Sequence, residues 1–330
     1  MAASTQRQHE AMRRRAWIIP AAVLGLLSLL LVVRVPGKGV WHKTLLDAVH
    51  GPIFAAVAVL LLLLLSRRAP ARSGPTLYLV AFFVAVGLGI LIEILQTITH
   101  RPGSVFDVMT NAAGAAAGLA FWRLHEHARA PASPLRRSSS AWLATAIGLA
   151  GSSFVAWYPL QAARAYAHRA AVFPSIAEFR APQDLAFVEP GGSGSAIEPL
   201  PAPWGRGPED RGLRVTYDAR HAPSLQVLEP SRDWRGYSVI AVDLTNPGDR
   251  ELGLTFRIFD ATHDGSPRDR LNLPLTIPPR TRTTVRVALD AVERAPESRR
   301  MDLSRIADVM LFGRTPPEPT EFYVSRIWLE

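Results

Sequence analysis

The sequence predicts a protein of two parts, a bundle of transmembrane helices followed by an all-β domain. Nearly all long apolar runs lie before residue 160 of the 330-residue chain. The segments after about residue 174 are short and alternate between apolar and polar residues, which is typical of strands. The first 169 residues carry 17 basic and 5 acidic side chains, whereas the rest carries 20 basic and 23 acidic ones. The net charge of +9 therefore belongs to the first part alone.

Five segments of the first part have the composition of membrane-spanning helices, because a hydrocarbon core needs about 20 mostly apolar residues per helix. They are residues 16–35, 45–65, 76–98, 105–124 and 141–160. The first apolar run is long and is followed by further spans, so we expect it to be retained and not cleaved as a signal peptide. These spans predict a four-helix membrane domain and a fifth helix that serves as an anchor.

The domain boundaries follow from the spans. We expect a cytoplasmic tail at 1–15, the four-helix membrane domain at 16–125, a basic cytoplasmic linker at 126–140, the fifth helix at 141–160, a second linker at 161–173 and the β domain at 174–330.

The basic residues of the connecting segments predict the orientation. With the N-terminus inside, the inner segments hold 11 basic residues and the outer loops hold 4. Lys and Arg in short loops favour the cytoplasmic side. The N-terminus is therefore predicted to be cytoplasmic, and the β domain is predicted to lie outside.

The composition also argues against several classes of protein. The second part is nearly neutral, so a nucleic-acid partner is not expected. The chain has no cysteine, which excludes disulfides and thiol chemistry. Its serines lack His and Asp partners at a motif spacing, and no Gly-rich phosphate loop follows a strand, so we expect neither nucleophilic catalysis nor a cofactor.

Five polar residues interrupt the apolar segments of the membrane domain: His50, Glu93, Gln96, Asp107 and Asn111. All five fall in the predicted outer half of the bilayer. Glu93 and Gln96 are three positions apart, and Asp107 and Asn111 are four apart, so each pair shares one helix face. Ionisable residues within a membrane mark functional sites by default. The pattern therefore predicts a polar pocket that opens to the outer side.

Helix packing is the alternative to a binding site. Polar side chains can simply hold helices together, at about 0.6 to 2 kcal/mol for each hydrogen bond. Asp107 alone could instead cap the fourth helix or stabilise its first turn. We favour a site because two carboxylates, a histidine and two amides are more than packing requires.

The same residues resemble the VanZ-like family of small bacterial membrane proteins over roughly residues 20–125. The resemblance rests on "LDAVHGPIF" (46–54), "EILQ" (93–96), Arg101 and "DVMTNAAGAAAG" (107–118). It implies that Asp47 and Arg101 belong to the pocket, although Leu46 and Asp47 stand where the family usually has Asp and Lys. It also implies a cell-envelope role in the bacterial inner membrane. The family is linked to glycopeptide resistance and has no settled biochemical activity.

The second part contains six alternating segments that predict an all-β sandwich. They are residues 213–219, 238–244, 252–260, 283–289, 306–313 and 322–329. The Gly- and Pro-rich segment 189–208 is predicted to be a loop.

This part resembles the galactose-binding-like sandwich of the complex I intermediate-associated protein family and of related carbohydrate-binding modules. The motifs are "WRGY" (234–237), "FDATH" (259–263), "DRLN" (269–272), "APESRRMDL" (295–303) and "MLF" (310–312). The resemblance implies a jelly-roll fold over roughly residues 175–330. It also implies glycan binding, although the chain has Ser and Pro at points where the family has Trp or Tyr.

One loop region of the predicted sandwich concentrates polar side chains: Asp260, His263, Asp269, Arg270 and Asn272. As a binding edge, these residues could hydrogen-bond sugar hydroxyls, and their O and N atoms are also ligands for metal ions. The alternative, which we favour, is a solvated hairpin with salt bridges and Asx turns.

We therefore expect a multi-pass inner-membrane protein without enzymatic activity. Its pocket would recognise a membrane lipid or a lipid-linked envelope precursor, and its periplasmic sandwich would bind a glycan or an envelope protein. Two alternatives remain open. One is a membrane enzyme that acts on an envelope lipid with Glu93 or Asp107 as acid, base or cation ligand; the other is a structural envelope scaffold.

Overall fold

The computed structural model describes residues 17–30, 39–71, 74–98, 104–129, 134–231, 233–316 and 318–330. The chain divides into two compact units, Met1–Leu160 and Gln161–Glu330. The first unit is helical and the second is mainly β, with apolar helices preceding an antiparallel sandwich. The predicted fold class is confirmed.

Six helices precede the first strand, in the described part of the chain. They are α1 Trp17–Leu30, α2 Val40–Ala48, α3 His50–Arg68, α4 Gly74–Ile98, α5 Val105–Arg129 and α6 Pro134–Val172. The predicted linker at 161–173 differs, because residues 161–172 continue α6. This stretch is rich in alanine, the residue with the highest helix propensity.

Helix α3 lies against both α4 and α5. Its contact with α5 depends on small residues, since a Cβ added at Gly114 would clash with the backbone of Gly51, and one added at Gly118 would lie 2.6 Å from the carbonyl oxygen of Ala55. Phe54 and Val57 of α3 are completely buried in the apolar core of this unit. Small residues let two helix backbones approach closely, so the glycines of α5 set the spacing of the two helices.

Three helical stretches of the described residues are long and apolar enough to cross a membrane: Val40–Arg68, Gly74–Ile98 and Ser139–Val172. Helix α5, predicted as the fourth span, is not among them, because polar residues interrupt its Ala- and Gly-rich sequence. Helix α1 is an apolar helix of 14 residues in the described part of the chain. The spans predicted at 16–35 and 105–124 therefore stay predictions.

The second unit contains eleven strands in its described part. They are β1 Ser175–Ala177, β2 Val188–Gly191, β3 Gly194–Pro199, β4 Arg211–Tyr217, β5 Ser224–Leu228, β6 Val239–Asn246, β7 Leu252–Asp260, β8 Leu271–Ile277, β9 Thr281–Ala288, β10 Ile306–Gly313 and β11 Thr320–Leu329. A 3-10 helix, Pro182–Phe187, precedes β2, and a short helix, α7 Leu289–Glu293, follows β9.

The strands form two antiparallel sheets. Sheet A has the order β3-β4-β11-β6-β9, with β1 also paired to β11, and sheet B has the order β2-β5-β10-β7-β8. The inward-facing side chains of both sheets form one apolar core around Trp234, Phe256 and Phe322, which are fully buried. Alternation is clearest in β7, where every second residue is buried. Apolar residues at a period of two therefore produce the sandwich, as the sequence predicts.

The predicted loop at 189–208 is partly wrong, because it contains most of β2 and all of β3. Both are edge strands, one in each sheet. Gly and Pro are tolerated at sheet edges, where one side of the backbone is not needed for pairing. The Gly- and Pro-rich composition of this segment is the reason that the sequence did not predict β2 and β3.

The last two turns of α6 pack on the sandwich within the second unit. The Arg169 guanidinium lies 3.5 Å from the ring centre of Phe187 and donates a 2.9 Å hydrogen bond to the Leu228 carbonyl oxygen. The Tyr166 hydroxyl donates to Glu229 Oε2 at 2.6 Å. Residues 161–172 therefore belong to the same compact unit as the strands.

Candidate functional sites

Three of the predicted pocket residues meet where α3, α4 and α5 come together. His50 is the first residue of α3, Glu93 lies in α4, and Asn111 lies in α5. His50 Nδ1 is 3.2 Å from Asn111 Oδ1 and 4.0 Å from Glu93 Oε1. All three residues are at most 6% exposed. The structure thus brings together a histidine, a carboxylate and an amide in an otherwise apolar helix bundle.

Two polar atoms of this trio have no hydrogen-bond partner among the described residues. Glu93 Oε2 accepts a 3.0 Å hydrogen bond from the backbone N–H of Ser104, but Glu93 Oε1 accepts none. Asn111 Nδ2 is also buried and donates to no acceptor. Burying an unpaired polar group costs about 1–3 kcal/mol. One acceptor and one donor beside His50 are therefore available to a polar group from outside.

Close helix approach produces this geometry. A Cβ at Gly89 of α4 would lie 3.1 Å from Asn111 Nδ2, so the amide lies directly against the α4 backbone. Gly51, adjacent to His50, and Gly114, three residues after Asn111, form the tightest part of the α3–α5 contact. Short side chains such as those of His50 and Asn111 can meet only across backbones that are this close.

The other pocket residues have separate surroundings. Gln96 is buried and its Nε2 donates a 3.4 Å hydrogen bond to the Leu30 carbonyl oxygen. Asp107 is buried in the first turn of α5. Ser104 Oγ, and not Asp107, accepts the backbone N–H of Phe106 at 3.1 Å, so Ser104 provides the cap of this helix. Asp47 is half-buried in α2, and Arg101 lies outside the described residues. The assignment of these four to a binding pocket stays a prediction.

In the sandwich, Asp260 and Asp269 lie on either side of one arginine that the sequence did not single out, Arg299. Its guanidinium donates to Asp260 Oδ2 and to Asp269 Oδ1, both at 2.6 Å. Asp260 also accepts the backbone N–H of Asp302, at 2.7 Å. Hydrogen bonding from Arg299 lowers the pKa of Asp269 to about 2. Both carboxylates are buried and already paired.

His263 also belongs to this cluster, and its Nδ1 contacts Asp269 of the same cluster. His263 Nδ1 is 3.3 Å from Asp269 Oδ2, and Asp264 donates its backbone N–H to the same oxygen at 3.0 Å. His263, Asp264 and Asp269 are close enough together to hold a metal ion, but the Arg299 guanidinium already supplies a cation there. The arrangement favours the salt-bridged hairpin that was the alternative interpretation of this loop. It gives no support to binding at Asp260, His263 or Asp269.

The remaining two predicted residues, Arg270 and Asn272, belong to a different surface. They lie on the side of sheet B that faces away from the core. We call this surface the outer face of sheet B. Its side chains are those of Glu189, Gln226, Arg257, Phe259, Arg270, Asn272, Asp308, Met310 and Phe312. The strand register places Glu189 beside Gln226, Gln226 beside Met310, Met310 beside Arg257, and Arg257 beside Asn272.

The outer face holds its polar groups in defined positions. Asp308 is 4% exposed; its Oδ2 accepts a hydrogen bond from Gln226, and its Oδ1 has no partner among the described residues. Burial raises the pKa of Asp308 to about 6. Arg257 lies 4.2 Å from the ring centre of Phe312, and its Nε donates to Asn272 Oδ1 at 2.9 Å. Aromatic, amide and charged side chains therefore lie side by side on one half-buried surface.

Sequence reasoning missed most of this face because its residues come from five strands whose pairing is long-range. The alternation did carry a signal. In β7, Arg257 and Phe259 are the half-buried positions between fully buried ones. A register shift in β10 between Ile306 and Asp308 turns Asp308 outward with Met310, and this shift cannot be read from the pattern alone.

Comparison with solved structures finds proteins similar to the second unit. A family 11 carbohydrate-binding module from Clostridium thermocellum, in complex with a β-1,3-1,4-mixed-linked tetrasaccharide, is 17% identical, with a TM-score of 0.34 over 47% of this chain and 93% of that chain. The non-crystalline cellulose-specific module CBM28 is 12% identical, with a TM-score of 0.34 over 48% of this chain and 93% of its own. An exo-β-agarase is 13% identical, with a TM-score of 0.35 over 44% of this chain and 23% of its own.

Comparison with curated proteins finds no match. Residues 5–126 match the model of the VanZ/LLP1 family. The match contains the whole segment for which the sequence motifs predicted this resemblance, and it includes His50, Glu93 and Asn111. The sandwich resembles carbohydrate-binding modules, as its sequence also predicted. The chain thus carries a match to the VanZ/LLP1 family model at residues 5–126, followed by an antiparallel β-sandwich.

Proposed function

We propose that the VanZ-like domain binds the polar group of a membrane lipid, or of a lipid-linked envelope precursor, at His50, Glu93 and Asn111. The observation that carries the proposal is the pair of buried, unpaired atoms Glu93 Oε1 and Asn111 Nδ2 beside His50. A ligand that accepts from the amide and donates to the carboxylate would remove both desolvation costs. Interhelical hydrogen bonding alone would leave these two atoms paired with each other or with the backbone.

The surroundings of the trio favour a lipid. Leu91, Ile94 and Leu95, which flank Glu93 in α4, are 37–54% exposed. Exposed large apolar side chains on a candidate membrane span face hydrocarbon. These side chains lie on the face of α4 opposite Glu93, so the helix that carries Glu93 is bordered by hydrocarbon, and a molecule that enters from the bilayer needs an apolar tail as well as a polar head. The bias of basic residues supports a site in the outer leaflet of the bacterial inner membrane, with a periplasmic sandwich.

Variants of the two unpaired groups test this proposal. Glu93→Gln keeps the size of the side chain and removes its charge, and Asn111→Leu removes the amide. We expect both variants to insert and purify normally and to lose at least tenfold in co-purified lipid, because a charge-assisted hydrogen bond contributes about 1.5–3 kcal/mol. Native mass spectrometry of the detergent-purified protein measures the bound lipid.

Ser66→Ala is the matched control, since Ser66 lies in α3 at the end far from His50 and only bonds the Leu62 carbonyl oxygen. It should retain the lipid. If Glu93→Gln and Asn111→Leu instead lower the melting temperature while lipid occupancy per folded molecule is unchanged, the trio serves helix packing and the proposal is wrong.

We further propose that the sandwich binds a glycan on the outer face of sheet B. The half-buried rings of Phe259 and Phe312 offer flat apolar surfaces, and Asp308 Oδ1 is an acceptor with no partner among the described residues. Sugars present apolar C–H faces and hydroxyl edges, so they require aromatic and hydrogen-bonding groups side by side. The strand register places aromatic and hydrogen-bonding groups next to each other on this surface.

Removal of one ring tests the glycan proposal. We expect Phe312→Ala to weaken oligosaccharide binding at least tenfold, because it removes a stacking surface and the support of Arg257. Trp328→Ala is the matched control, since Trp328 is a half-buried aromatic residue of sheet A. An oligosaccharide array probed with the full-length protein in detergent measures both. Equal loss in the two variants, or none in Phe312→Ala, would exclude this face as the site.

A further inference from the structure

Two arginines of the outer face of sheet B, Arg257 and Arg270, form no salt bridge in the described part of the chain. Arg257 projects from β7, and Arg270 directly precedes β8, on the same side as Asn272. Neither forms a salt bridge with any described residue, whereas their neighbours Arg268 and Arg299 do. Arginines in a folded domain are usually satisfied by acids, carbonyl groups or water. Two that share one face without a salt bridge to a described carboxylate indicate a place for an anion.

The orientation of Arg257 is defined by its neighbours. Its Nε donates to Asn272 Oδ1 and its guanidinium lies over the Phe312 ring. These contacts leave both terminal nitrogens, Nη1 and Nη2, without an acceptor among the residues that the structure describes. The planar guanidinium is therefore held with two parallel donors free, which is the geometry that binds a carboxylate or phosphate in a bidentate manner.

Arg270 has fewer hydrogen-bond partners than Arg257. It makes no hydrogen bond with a described residue, and its Nε is shielded from water without an acceptor. Burial and the neighbouring charge of Arg270 lower the pKa of Arg257, and the charge of Asp308 offsets this only in part, so the two cations lie close enough to repel each other. The nearest acid of this face, Asp308, is bonded to Gln226 and forms no salt bridge with either arginine. A bound anion would relieve both the repulsion and the missing hydrogen bonds.

We infer that the glycan bound on this face is acidic, and that Arg257 and Arg270 together hold its carboxylate or phosphate group. The inference rests on the proposed glycan-binding function and names the class of glycan. The sugar next to the anionic one would lie over Phe312 and Met310, toward Gln226 and Asp308, which suits a hydroxylated, uncharged ring. The sheet thus separates a cationic half, on β7 and β8, from an acidic and amide half, on β2, β5 and β10.

Three oligosaccharides of equal length test the inference on the full-length protein in detergent. One carries uronic-acid carboxylates, the second carries phosphate, and the third is the neutral counterpart. We expect at least one acidic ligand to bind about tenfold or more tightly than the neutral one by calorimetry, because a charge-assisted bidentate pair is the stronger kind of hydrogen bond. The acidic ligand that binds tighter identifies the anionic group, and added salt should reduce its advantage.

Arginine variants locate the effect. Arg257→Gln and Arg270→Gln should each remove most of the preference for the acidic ligand, because acidic binding falls about tenfold more than neutral binding does. Arg268→Gln is the matched control; it removes an equal charge two residues from Arg270, from an exposed arginine that faces Glu297 at 3.9 Å. It should keep the preference. Equal affinity for acidic and neutral ligands, or an equal loss in all three variants, overturns the inference and leaves the glycan proposal standing. Absence of binding to all three ligands by the folded protein contradicts glycan binding itself.

Discussion

A Gly114→Val variant is expected to lose the packed helical unit, with a fall in stability of at least about 3 kcal/mol, the upper end of ordinary overpacking costs. Gly114 is buried, and a Cβ at this position would lie 2.7 Å from the Cα atom of Gly51, in addition to its clash with the carbonyl oxygen. Both atoms are backbone, so no side-chain rotation can relieve the overlap. Helices α3 and α5 would have to separate.

Gly87→Val is the matched control for this variant. Gly87 is an exposed glycine of α4, and a Cβ there meets nothing within 4 Å. Both substitutions change helix propensity equally, so their difference measures the α3–α5 contact. Thermal melting in detergent and the monomeric fraction by size-exclusion chromatography report the outcome. If the two variants behave alike, the close helix contact does not exist. Loss of bound lipid should accompany Gly114→Val, because His50 and Asn111 meet across the same contact.

His50, Glu93 and Asn111 show which contacts helical spacing can predict and which it cannot. The predicted depths and helix faces placed His50, Glu93 and Asn111 on one side of the membrane domain, and in the structure the Glu93 and Asn111 side chains lie within 4.0 Å of His50 Nδ1. Spacing could not show that Ser104 donates to Glu93, or that Gln96 bonds the backbone of α1, at Leu30. Those partners come from a connection and from a distant helix, whose positions depend on tertiary packing.

Local sequence patterns likewise predicted only part of the sandwich. Six segments with alternating residues correspond to β4, β6, β7, β9, β10 and β11. The sequence did not predict β1, β2, β3, β5 or β8; β8, for example, contains Pro274, which is tolerated there because β8 is an edge strand. Which side chains face outward together depends on register across several strands. The outer face of sheet B therefore could not be assembled from local patterns.

The loop cluster depends on a partner that is distant in the sequence, although the salt-bridged hairpin that we favoured is the arrangement observed. Asp260 and Asp269 are close in sequence, so they suggested a local binding edge. Arg299, which neutralises both, follows thirty residues after Asp269 and looked like an ordinary member of a basic segment. A charge cluster is informative only once its counter-ions are known. We therefore expect a large effect on stability when Arg299 is removed from Asp260 and Asp269.

Arg299→Leu should destabilise the sandwich by about 3 kcal/mol or more, because removal of one member of a buried ion pair leaves uncompensated charge. The Asp260 side chain is completely buried and that of Asp269 is 6% exposed, so neither carboxylate can recover water. Arg300→Leu is the matched control. Arg300 is the next residue, its side chain is 71% exposed, and its contact with Glu293 is 3.4 Å, so we expect a loss below about 1 kcal/mol.

The dependence of stability on pH distinguishes this ion pair from simple packing. Since the folded pKa of Asp269 is about 2 and its ordinary value is 3.8, the wild-type sandwich gains stability from this group above pH 4 and loses it as the pH falls toward 2. In Arg299→Leu the buried carboxylates lack their cation, so protonation should stabilise the fold and the trend should reverse. Urea unfolding of residues 161–330, followed by circular dichroism at several pH values, measures both trends. A parallel acid loss in wild type and Arg299→Leu would mean that Arg299 contributes through its packing and not through its charge.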